Sequence, residues 1–179
     1  IEDAIEAKSF HNEPHIISRG KLDWSDCDKI IEGTVANGGQ DHFYLETQAA
    51  LAIPQENGSF LVHSSTQHPT EIQKMVASVL GVGAHKVTCL VARMGGGFGG
   101  KESQATQPAA MAALGAMLTG RSVRVWLNRD EDMCQTGNRH PFLSKYRCGF
   151  NSDGMLQCFE VNIYSNGGWS SDLSLPVMD

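Results

Sequence analysis

Five glycines crowd into the six positions from Gly95 to Gly100, and Lys101 and Glu102 follow at once. Glycines at this density leave backbone N–H groups uncovered by Cβ atoms, which suits close approach of an anionic ligand. A simple turn needs fewer. An apolar run lies before the loop (residues 87–92), and an Ala- and Met-rich stretch that favours helix lies after it (residues 103–118). A helix N-terminus is therefore expected nearby, adding to the preference for negative charge.

Two familiar letter patterns fall on the loop. Gly95, Gly97 and Gly100 satisfy G-x-G-x-x-G, but a dinucleotide site also needs an acidic residue closing a strand roughly 20 residues on. Gly120 stands there, and the strand at residues 123–127 runs into Asn128. Gly95 to Lys101 also satisfy G-x-x-x-x-G-K, in which the next residue is Ser or Thr with its hydroxyl on magnesium. Here that residue is Glu102, whose carboxylate would repel a phosphate in a partly dehydrated site. Glu102 decides against the phosphate loop, leaving a nucleotide-binding module as a second class of function.

The elements around the loop predict a mixed α/β fold, α+β in class, with strands, hairpins and at least two helices. Residues 1–31 read as a polar, irregular connecting segment, and residues 32–36 as a short strand. Residues 44–53 read as extended, stopped by Pro54 and returning as residues 59–63. Ile72, Met75, Val76, Val79 and Leu80 form one apolar stripe at helical spacing, with Pro69 in the first turn and Gly81 at the end. Residues 87–92 have the continuous apolar character of a strand buried on both faces. Pro108 leaves two options for the next helix, a start near residues 104–107 or a kink. Residues 142–150 and 155–164 flank Asn151-Ser152-Asp153-Gly154, a strong hairpin signal.

Composition narrows the class further. Charged residues make up 19% of the chain and hydrophobic ones 41%, a folded-protein balance. The net charge of -6, without any basic stripe, excludes nucleic acid as a partner. No apolar run approaches 18 residues, so no membrane span or secretory leader is expected. The five cysteines are odd in number and irregularly spaced, which argues against a disulfide framework and for a reducing, cytoplasmic setting. Cys89 and Cys148 read as buried packing residues. Both ends look cut from a longer chain.

Read together, several segments carry a specific resemblance. Arg93-Met94-Gly95-Gly96-Gly97-Phe98-Gly99-Gly100-Lys101-Glu102 is similar to the signature loop of the xanthine dehydrogenase/xanthine oxidase branch of the molybdenum hydroxylases. Gly39-Gln40-Asp41-His42-Phe43-Tyr44-Leu45-Glu46-Thr47, Ser65-Thr66-Gln67 and Asn128-Arg129-Asp130-Glu131-Asp132-Met133 match in the same order. So do Thr136-Gly137-Asn138-Arg139-His140-Pro141-Phe142 and Tyr164-Ser165-Asn166-Gly167-Gly168. The resemblance spans nearly the whole chain. It implies that residues 32–179 are the N-terminal part of a molybdopterin-binding domain, truncated at its C-terminus.

The family relation implies a molybdopterin (Mo) cofactor with no direct protein ligand to the metal, so the lack of a Cys/His cluster fits. It implies that Gln67 hydrogen-bonds at the molybdenum centre. Gly97, Phe98 and Gly99 then belong to the stretch whose main-chain donors approach the cofactor, and Glu102 contacts a purine substrate. Taken alone, Gln67 would be a surface or capping residue, Phe98 a packing anchor, and Glu102 a helix-dipole carboxylate. The family's catalytic base glutamate would lie outside this chain. So would the 2Fe-2S and FAD domains of the parent, a homodimer or heteromer of which this is one wall of the active site. A related aldehyde or N-heterocycle hydroxylase is the alternative. His42, Glu46, Asp130, Glu131, Asp132, Arg139 and His140 receive no catalytic role, residues 129–132 reading as a solvated or salt-bridged turn.

Overall fold

The computed structural model describes residues 1–178. In chain order these form α1 (Glu2–Glu6), β1 (Lys29–Asn37), β2 (Ala49–Pro54), β3 (Phe60–Ser64), α2 (Pro69–Leu80) and β4 (Val87–Leu90). They continue with α3 (Thr106–Thr119), β5 (Val123–Trp126), α4 (Arg129–Gln135), β6 (Phe142–Phe150), β7 (Leu156–Ser165) and α5 (Ser174–Met178). The mixed α+β expectation holds. Two compact units result, one from Asp41–Arg139 and one from Ile1–Gln40 with the chain from His140 onward.

The Asp41–Arg139 unit is a four-stranded sheet in the order β4-β3-β2-β5, with β3 and β4 parallel and the other pairs antiparallel. Alternation along β2 and β3 turns Ala50, Ala52, Phe60 and Val62 to one face, where α2 and α3 cover them. α2 buries Ile72, Val76, Ala77 and Leu80, while Met75 and Val79 from the expected stripe lean outward. α3 turns Ala109, Ala112, Ala113 and Ala116 inward, small residues that let its backbone lie close to β2. Pro108 does not kink it: the helix starts at Thr106, so Pro108 falls in the first turn, where no intrahelical partner is missing. Among the described residues no helix is long and apolar enough to cross a membrane.

Three expectations for this unit change. β4 is an edge strand and not one buried on both faces: Val87 points inward, whereas Leu90 is 44% exposed. β2 begins only at Ala49, because Tyr44 and Gln48 turn their polar atoms to side chains and to the glycine loop instead of a ladder. Residues 129–132 are not a solvated turn. They open α4, with the Asn128 side chain accepting from Glu131 N–H and Glu131 accepting from Asn128 N–H, and Asp132 is buried. Asn128→Ala therefore destabilises this unit by about 1 kcal/mol, read as a lower midpoint in chemical denaturation.

The other unit is a three-stranded antiparallel sheet in the order β1-β6-β7. The turn between β6 and β7 is set by Asn151, whose Oδ1 accepts from the N–H groups of Asp153 and Met155. The leading residues are not wholly irregular. β1 starts at Lys29, Trp24 lies 4.3 Å under the Arg147 guanidinium, and Cys27 Sγ fills the space where Gly149 lacks a Cβ. All five cysteines are free thiols: Cys158 is buried, Cys134 exposed, and Cys89 and Cys148 half-buried. Burial pushes the Cys89 thiol up to about 11.

Candidate functional site

The glycine loop follows β4 and, before α3 begins, is bonded to Glu46 ahead of β2 and to Gln67 just past β3. Its backbone turns left-handed at Gly96, Phe98 and Gly99. Phe98 is the costly one, since a side chain at φ 54 stores about 1–3 kcal/mol. The residue is 69% exposed, so it is no packing anchor. Strained backbone that displays an aromatic ring to solvent is a feature of ligand sites.

Gln67 clamps the loop. Its Oε1 accepts from Gly99 N–H at 2.9 Å and from Lys101 N–H at 3.2 Å. Gln67 N–H and Thr66 Oγ1 both donate to the Lys101 carbonyl, at 2.8 and 2.9 Å. With the carbonyl end of the amide fixed by two donors, Nε2 is left as a donor on an exposed residue. A Cβ on Gly97 would stand 2.5 Å from Gln67 Oε1, so this close approach requires glycine.

Beneath the loop lies a buried polar floor that the sequence did not announce. Lys101 is fully buried, and its ammonium donates to the Glu46 carbonyl at 2.6 Å, Ser65 Oγ at 2.8 Å and Glu46 Oε2 at 3.3 Å. Glu46 Oε2 also accepts from Ser65 Oγ at 2.5 Å and Gly95 N–H at 2.8 Å. Burial lowers the Lys101 pKa, and the Glu46 charge opposes this. Burial would raise the Glu46 carboxyl, but the Gly95 N–H, Ser65 and Lys101 together hold it below its usual range. Tyr44 Oη donates to Asp132 Oδ1 at 2.6 Å, Gln48 N–H donates to Asp132 Oδ2 at 2.6 Å, and Gln48 Nε2 reaches the Gly100 carbonyl at 3.0 Å. Arg129 donates to the carbonyls of Tyr44 and Leu45.

Three consecutive loop donors remain open: the N–H groups of Gly96, Gly97 and Phe98 have no acceptor among the described residues. The Gly99 N–H is taken by Gln67, so Gly99 shapes the loop without offering a free donor. Glu102 is half-buried, and its carboxylate makes no hydrogen bond or ion pair with another described residue. It stands three residues before Ala105, the N-cap of α3, so the helix dipole is not its partner. No group of three or more His, Cys, Asp or Glu among the described residues could hold a metal ion. The arrangement can receive an anionic or oxo-bearing group on backbone N–H donors, beside one free carboxylate. It cannot act as a phosphate loop, because the Lys101 ammonium faces the floor and not the loop's open side.

The chain belongs to the molybdopterin cofactor-binding domain family, whose sequence profile matches residues 8–179. It is 48% identical over 182 residues to xanthine dehydrogenase of Calliphora vicina, covering 100% of this chain and 14% of that protein. It is also 48% identical over 182 residues to aldehyde oxidase 1 of Oryctolagus cuniculus, again covering 100% and 14%. Among solved structures, the aldehyde oxidoreductase from Desulfovibrio gigas superposes with a TM-score of 0.71 at 26% identity, over 79% of this chain and 15% of that one. The chain thus spans about one seventh of the length of the curated relatives it matches.

Proposed function

We propose that this chain forms one wall of the molybdopterin and substrate site of a purine-oxidising molybdenum hydroxylase, taking hypoxanthine or xanthine towards urate. The open N–H groups of Gly96, Gly97 and Phe98, with the Nε2 of the exposed Gln67, are the donor set that fits the oxygen-rich end of such a cofactor. When bound, molybdopterin supplies the redox chemistry and the oxygen transferred to the ring carbon. Gln67 orients it through its amide Nε2, and the loop N–H groups donate to developing negative charge without reorganising. Phe98 keeps an apolar ring at the site. Glu102 hydrogen-bonds the heterocycle and stabilises charge shifted onto the ring as it is attacked.

The free carboxylate of Glu102 is the observation that carries this reading. Overall identity does not choose between purine and aldehyde, since it is 48% to a protein of each name. A carboxylate left without a protein partner favours a substrate rich in N–H groups. Residues 1–31 would serve as the connecting segment to the rest of the parent. That parent is a homodimer or heteromer with 2Fe-2S and FAD domains in the cytoplasm, and its base glutamate lies in another part of the protein. Glu102→Ala in the full-length parent lowers kcat/KM for xanthine by about tenfold more than for an aldehyde, as expected for one lost polar contact to substrate. Equal losses on both substrates would sink the purine assignment.

A further inference from the structure

We propose that Lys101 is the positioning residue of the glycine loop, holding it in its cofactor-receiving shape through the ion pair of its buried ammonium with Glu46. The proposal rests on the reading that this loop receives molybdopterin. A lysine at 0% exposure is an expensive way to fill a core, because well-packed apolar residues usually do at least as well as a buried ion pair. Its retention calls for a geometric role, and the contacts supply one.

The residue works through both its ends. Its backbone is the far end of the loop: Lys101 N–H meets Gln67 Oε1, and Lys101 O takes Gln67 N–H and the Thr66 hydroxyl. Its ammonium, with all three protons donated, holds the carbonyl and carboxylate of Glu46 and the Ser65 hydroxyl. Glu46 in turn is bonded twice to the near end of the loop, donating its N–H to Gly95 O at 3.1 Å and accepting Gly95 N–H at 2.8 Å. The two ends of the loop are therefore pinned to each other through one side chain. Between them Gly96, Gly97 and Phe98 are held as an arch whose N–H groups have no acceptor among the described residues, so the arch is set before any ligand arrives.

One further contact fixes the ammonium's place. The Tyr44 ring lies 4.5 Å from Nζ, and the charges of Asp132 and Arg129 act on it with opposite sign. Glu46 alone reaches solvent, with 41% of its side chain exposed. Without the ammonium, the Glu46 carbonyl and Ser65 Oγ lose their donor, and the carboxylate that holds Gly95 is free to swing outward.

The test compares Lys101→Met and Glu46→Gln with wild type in the full-length parent, by amide hydrogen exchange of residues 94–102 in protein made without molybdenum. Molybdenum per chain is then measured after normal production. Exchange of the bonded amides at Gly95, Gly99 and Lys101 should quicken by about tenfold in Lys101→Met and less in Glu46→Gln, the signature of local opening. Strands 60–64 and 123–126 should stay protected, and molybdenum content should fall severalfold. Unchanged loop exchange in Lys101→Met overturns the proposal. If that variant loosens the strands as well, Glu46→Gln decides: loop exchange that rises over protected strands supports positioning, and loop exchange that stays at the wild-type rate refutes it. A wild-type parent without molybdenum would refute the cofactor reading, while the exchange result still judges the positioning role on its own.

Discussion

Gly97→Ala lowers turnover by the full-length parent about a hundredfold, the loss that a displacement near 1 Å at a reacting centre can cause. The same substitution leaves the thermal midpoint almost unchanged. Gly97 is not at positive φ, so its backbone accepts a side chain. What the new methyl meets is the end of the Gln67 side chain, 2.5 Å from Oε1, 2.7 Å from Cδ and 2.8 Å from Cγ. Gln67 is exposed and flexible, so it yields where the fold does not. When it swings away, Gly99 N–H and Lys101 N–H lose their shared acceptor, and the Nε2 donor moves with it. A double-mutant cycle identifies the route. In a Gln67→Ala background, Gly97→Ala should add little, because the group it displaces is already gone. If the two losses simply add, Gly97 acts by some other path.

The parts of this fold set by local rules were readable before any coordinates. The apolar spacing and the flanking Pro69 and Gly81 mark α2 at both ends, and Asn151 to Gly154 announce the β6–β7 hairpin. The loop itself stands out because five glycines have no other economical explanation. The floor beneath it was not readable, for a physical reason. A charged residue is by default solvated, and what overrides that default here is a partner far away in the chain. Lys101 and Glu46 are 55 positions apart, and Tyr44 and Asp132 are 88. Lys101 even stands in a pattern that invites a phosphate ligand, so its letters pointed to the wrong side of the loop. One signal was present at residues 128–131, where Asn-x-x-Glu has the form of a capping box and announces a helix start. That start is what places Asp132 in the interior. The edge position of β4 had no such signal, since a short apolar run does not reveal its neighbours.

Asp132→Ala destabilises the Asp41–Arg139 unit by about 3–4 kcal/mol, among the larger effects a single substitution produces. Asp132 is 2% exposed, and its two oxygens each hold a buried donor at 2.6 Å, the Tyr44 hydroxyl and the Gln48 N–H. Alanine removes both acceptors from a buried site, and the Tyr44 hydroxyl and the Gln48 N–H then carry a desolvation cost. Burial first, and then the bond to Asp132, push the Tyr44 phenol up to about 12, so it stays a donor throughout the neutral range. The damage reaches the loop as well. Gln48 Nε2 bridges Tyr44 Oη and the Gly100 carbonyl, and the Tyr44 ring lies beside the Lys101 ammonium. The readout is the denaturation midpoint of this unit in the full-length protein. Asp132→Asn should lose less, about 1–3 kcal/mol, since it keeps one carbonyl oxygen for Gln48 N–H. Tyr44→Phe added to Asp132→Ala should then recover part of the loss by deleting one orphaned hydroxyl. A pair that adds without recovery would mean that α4 is held by packing, and that the carboxylate is incidental to it.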